Sequence, residues 1–68
     1  MMVAAERLLG LDVVDARGQS VGAVVDVGTG EGWNAKFLLV QGPLPRAVQR
    51  VEMRDVAAVR ADAVLLRA

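Results

Sequence analysis

Leu9-Gly10-Leu11-Asp12-Val13-Val14-Asp15-Ala16-Arg17-Gly18-Gln19-Ser20-Val21-Gly22-Ala23-Val24-Val25-Asp26-Val27 carries the clearest sign of how this chain folds. It is rich in β-branched residues, which suit a pleated, half-buried surface. It reads as a strand over 11–15, a tight turn at Asp15-Ala16-Arg17-Gly18, and a second strand over 21–27. An aspartate opening a turn can bond its own backbone two residues on, and a glycine closing it can take positive φ. Strict alternation in the second strand puts Val21, Ala23, Val25 and Val27 on one face and Gly22, Val24 and Asp26 on the other. A glycine inside a strand, here Gly22, marks a bulge, a bend or a close backbone approach. A tightly curled sheet needs all three.

Outward from this core, residues 4–9 suit one helical turn, with Leu8, Leu9 and Leu11 as apolar anchors. Downstream, residues 28–32 hold three glycines and read as a flexible loop. A dinucleotide-binding reading of that loop would require a helix directly after it, and a β-type run follows instead. Residues 35–41 form the next expected strand. Phe37 and Leu39 face one way, Leu38 and Val40 the other, so both faces require cover. Gly42, Pro43 and Pro45 then interrupt regular structure. The rest, 45–68, fits either one helix or three short strands. A helix would place Glu52, Asp55 and Asp62 in or beside its apolar stripe, which argues against it. The strand reading gives 47–53, a turn at Arg54-Asp55, 56–59, a turn at Ala61-Asp62, and 64–67.

Sixty-eight residues bound the answer to one domain, 1–68, with its core over about 8–66. The chain has no cysteine and no histidine, which removes disulfides, thiolate chemistry and the commonest general base and zinc ligand. Eight acidic residues balance eight basic ones, so the basic excess of a nucleic-acid binder is missing and direct nucleic-acid binding is not expected. No apolar run approaches the roughly 18 residues that suggest a membrane span, and no basic start leads into an apolar block as in a signal peptide. The expectation is a cytoplasmic protein without membrane insertion. At 54% hydrophobic the chain is rich in apolar residues for its size, and a small unstapled core usually leans on very good packing or on a partner subunit.

The run Leu9-Gly10-x-x-Val13-x-Asp15-x-x-Gly18-x-x-Val21-Gly22-x-Val24-x-Asp26-Val27 resembles the opening of a PRC-barrel domain. The resemblance extends from about Leu8 to Leu66, its second half carried mostly by hydrophobic pattern. Glu52-Met53 depart from it, standing where the family often has proline or an aromatic residue. The resemblance implies an all-β fold: a small, strongly bent antiparallel barrel of about six strands. It also implies a role in protein contact, as in the cytoplasmic domain of the reaction-centre H subunit and the C-terminal domain of a ribosome-maturation factor. It brings no catalytic residue set and no cofactor.

The expected function is therefore a non-enzymatic interaction or adaptor module, self-associating, for a protein partner whose identity the chain does not state. An RNA- or ribosome-linked accessory role is the alternative. Trp33, Phe37, Leu38, Leu39, Val40, Val64, Leu65 and Leu66 are the interface candidates, because a small barrel has one interior and apolar residues facing out need cover. Trp33 is either a contact hot spot or a lid over one end. Gly10, Asp15, Gly18, Gly22 and Asp26 are structural, shaping turns and bends. Asp12, Asp15 and Asp26 do not amount to a metal site. Glu52 and Asp55 lack the surroundings of an acid/base pair, and Ser20 and Thr29 have no histidine to activate them. Arg46, Arg50 and Arg54 recur every four residues and form either a phosphate-binding row or a charged edge that discourages strand aggregation.

Overall fold

A computed structural model describes residues 2–68. Six strands make one sheet: β1 (Asp12–Val14), β2 (Ser20–Thr29), β3 (Ala35–Gln41), β4 (Val48–Glu52), β5 (Val56–Val59) and β6 (Ala63–Leu66). Single 3-10 turns occupy Ala5–Arg7, Glu31–Trp33 and Met53–Asp55. The C-terminal third is thus strands, as the acids in the alternative helical stripe imply.

The β1–β2 turn forms as its residues dictate. The Asp15 carboxylate accepts from the Arg17 and Gln19 amides at 2.9 and 3.0 Å. Gly18 closes the turn at φ +84°, with its amide on the Asp15 carbonyl. Gly22 sits at φ +145°, and a Cβ there would lie 2.1 Å from the Gln41 carbonyl oxygen. β2 and β3 therefore approach more closely at this point than any side chain at position 22 would allow.

Strict alternation in β2 does not hold. Val24 pairs with Val40 and Asp26 with Leu39, leaving Val25 as the extra residue of a bulge. Val24 is 2% exposed and Val25 is 51% exposed. The bulge resets the facing of everything after it, so Val27 turns back toward the core. The Asp26 carboxylate accepts from the Val27 amide at 2.8 Å beside the bulge. The glycine loop is also shorter than expected, because Gly28 and Thr29 belong to β2.

The sheet order is β4-β3-β2-β1-β6-β5. All neighbours are antiparallel except β1 and β6, which run parallel. This corrects the all-antiparallel expectation, and hydrogen bonds do not close the sheet into a barrel: β4 and β5 are its two edges. The cause lies in the Met53–Asp55 turn, which carries the chain from one edge to the other. Through the ladders, β4 and β5 share one sense. A parallel pair needs a crossover of a dozen or more residues, so strands linked by three residues cannot pair and the seam stays open. The short link also requires a strongly curled sheet, and twist of about 20–25° per strand step supplies the rotation between its edges.

The core inside this curl is Leu8, Val13, Val24, Ala35, Leu38, Val40, Val51, Val56 and Val64. Every strand contributes, and Leu8 plugs it from the turn before β1. No polar side chain is buried among the described residues.

Candidate apolar groove at Trp33

The N-terminal segment is held by backbone bonds. The Ala35 amide donates to the Val3 carbonyl at 2.9 Å, and Ala4 bridges to Asn34. The 3-10 turn Ala5–Arg7 then leads to buried Leu8. This pins the segment across the end of the sheet where β2 finishes and β3 begins. Opposite it, Gly30 donates to the Asn34 carbonyl at 3.0 Å and closes a five-residue turn. Gly32 and Trp33 on that turn both adopt left-handed backbone, at φ +68° and +63°. Left-handed φ is easy for glycine and rare for a bulky residue. The turn thereby holds Trp33 outward, 78% exposed.

Between segment and turn lies an open groove of about 550 Å³. Ala4 and Ala5 give it small side chains, Leu9 and Val27 add branched ones, and Trp33 lines it beside Thr29. Glu6 is its one charged lining residue. Leu9 is 54% exposed, and Met2, which precedes the segment, is 83% exposed. A second, smaller cavity of about 370 Å³ lies at the other end of β2, against Val21, Val40, Val48 and Gln49.

The other interface candidates divide by face. Leu38, Val40 and Val64 are core residues with at most 2% exposure, and Leu66 packs against that core. Leu38, Val40 and Val64 are therefore closed inside the folded chain, and Leu66 is half-buried. Phe37, Leu39 and Leu65 occupy the opposite face and are half-buried. Phe37 lies across Gly28, where a Cβ would sit 2.0 Å from its ring. The Arg50 guanidinium stacks on it, 3.8 Å from the ring centroid, and also bonds the Glu52 carboxylate at 2.7 Å. Phe37 is thus covered by the chain's own arginine, and Trp33, at 78% exposure, is the interface candidate that stands most open.

The three arginines do not form one row. Arg46 is in the β3–β4 connection at φ +65°, Arg50 is on β4, and Arg54 is in the 3-10 turn with its carbonyl accepting from Arg67 Nε at 2.9 Å. Asp12 accepts from Ser20 Oγ across β1 and β2, and Asp15 and Asp26 serve their own backbone. Among the described residues no group of three or more carboxylates is placed to hold a metal ion, and no helix is long and apolar enough to cross a membrane.

The parts played by Ala4, Ala5 and Leu9 were not legible in the sequence. They depend on the bridge to Asn34, a partner 30 residues away, and the only local signal was the unpaired second leucine of Leu8-Leu9 before Gly10. No family model and no curated protein matches this chain.

Proposed function

We propose that this chain is a non-enzymatic protein-interaction module that self-associates and takes an apolar side chain of a protein partner into the Trp33 groove. The observation that carries the reading is Trp33 itself, held 78% exposed on a left-handed backbone beside an apolar groove. An exposed tryptophan next to a slot floored by alanines matches the anchor-and-pocket pattern of contact hot spots. Strained backbone that persists at a surface is a further pointer to function. The chain's lack of histidine and cysteine supports a binding role over catalysis. The PRC-barrel resemblance agrees with it, with the curled six-stranded sheet read as an opened form of that barrel.

Capture from nuclease-treated host lysate by wild type and by Trp33→Ala tests the reading. A defined protein retained by wild type and lost with Trp33→Ala is the expected result. Equal capture by both would remove Trp33 from the contact. Capture of RNA-containing material alone, lost on nuclease treatment, would replace the reading with the RNA-linked one.

A further inference from the structure

β4 is an open sheet edge, and its free backbone groups follow from one hydrogen bond. The Gly42 amide donates to the Ala47 carbonyl at 2.8 Å, while the Ala47 amide turns to the Leu44 carbonyl, so 42 opposite 47 takes the hydrogen-bonding parity of the β3–β4 ladder through this one bond. Exchanging pairs alternate with non-exchanging ones along an antiparallel ladder. The register runs from Gln41 opposite Val48 to Phe37 opposite Glu52 without a shift. Val40–Gln49 and Leu38–Val51 therefore exchange bonds. The N–H and C=O of Val48 and Arg50 point away from β3, as does the N–H of Glu52. The Glu52 carbonyl is taken, because the residue preceding a helical turn accepts its first bond. Among the described residues, no backbone bond outside the ladders and turns uses Val48 or Arg50.

Five free groups thus stand in line on an edge without bulge or proline. β5, the opposite edge, has four residues and a register shift at Ala57, which blunts it. The β3–β4 ladder is the one antiparallel pairing here that carries no such shift.

We propose that the occupant of this edge is β4 of a second copy, paired antiparallel about a two-fold axis through Gln49. This rests on the self-association reading above and names its surface. In that register Val48 exchanges bonds with Arg50 of the second copy, and Arg50 with its Val48, so the four groups of these two residues are used. Gln49 faces Gln49 of the second copy on the core-facing side, where each amide both donates and accepts. Glu52 comes opposite the turn bearing Arg46 of the second copy, acid against base. An axis through Arg50 sets two arginines directly across from each other, which is unfavourable, and requires the occupied Glu52 carbonyl. An axis through Val51 requires that carbonyl in both copies. Of these three axes, charge and group availability together select Gln49.

Two variants test this on the full chain. Val48→Pro deletes an edge N–H that β3 does not use, and proline is tolerated on an edge facing solvent. In sedimentation velocity, wild type and Trp33→Ala form dimers, while Val48→Pro dimerises roughly tenfold more weakly or worse. Gln49→Cys, in a chain with no other cysteine, closes an intermolecular disulfide on oxidation. The Cα atoms of a non-exchanging pair lie about 4.5 Å apart, within disulfide range. Arg50→Cys and Val51→Cys do not close one. A dimer that survives Val48→Pro and fails to cross-link at position 49 overturns the β4 edge while leaving self-association standing. Cross-linking at 50 or 51 in place of 49 overturns the register. A wild type that stays monomeric at millimolar concentration overturns both readings.

Discussion

Trp33 shows how one residue can serve the surface at the expense of the fold. A non-glycine residue in the left-handed region costs roughly 1–2 kcal/mol, and an indole 78% exposed recovers little of that by packing. Trp33→Gly is therefore expected to raise unfolding stability by about 1 kcal/mol in urea titration while abolishing partner capture. A loss of stability would instead mean that the indole packs as a lid on its own chain. Phe37 is the opposite case. Its ring covers Gly28 and is itself covered by Arg50, so Arg50→Ala is expected to cost about 0.5–1 kcal/mol through the lost cation–π contact. Thermal unfolding of that variant beside Arg46→Ala, which lacks such a contact, measures the difference.

At the scale of the element, the bulge in β2 is decisive. It turns Val24 inward and leaves Val25 out, although the two are identical and adjacent. Val24→Ala should then cost about 2 kcal/mol in denaturant unfolding, and Val25→Thr no more than about 0.5 kcal/mol. Equal costs would place the bulge elsewhere. Strand positions were legible because turns are local chemistry: Asp15 and Gly18 end β1, Pro43 and Pro45 interrupt the chain before β4, and Asp62 marks the last hairpin. β3 and β5 coincide with the stretches expected from the sequence, 35–41 and 56–59. Facing was less legible, because a single inserted residue inverts a period-two pattern. The division of Phe37, Leu38, Leu39 and Val40 into two faces survived because no bulge falls within the β3–β4 ladder.

The whole molecule is a curled sheet whose two edges are joined by three residues. The Asp55 carbonyl accepts from the Arg67 amide at 2.8 Å, tying the chain's exit from β6 to that joining turn. Since β4 and β5 cannot pair across the seam, the molecule keeps an unbulged edge. Pairing at that edge makes stability depend on protein concentration, since a complex formed by folded chains alone favours folding by mass action. The melting temperature of wild type should rise as concentration increases, and that of Val48→Pro should rise less over the same range. A concentration-independent wild type would place the edge out of use.

Read from the chain alone, the all-β class, the succession of strands along the chain, the Asp15–Gly18 turn and the need for glycine at position 22 were already set. These depend on neighbours in the chain, on β-branching and on the φ range each residue tolerates. Long-range contacts, by contrast, set β6 parallel to β1, keep the sheet open between β4 and β5, and bring Ala4, Ala5 and Leu9 to Trp33 in one groove. Those outcomes depend on where a three-residue link leaves the chain and on a backbone bridge between Ala4 and Asn34. Both are contacts between residues that no local pattern relates.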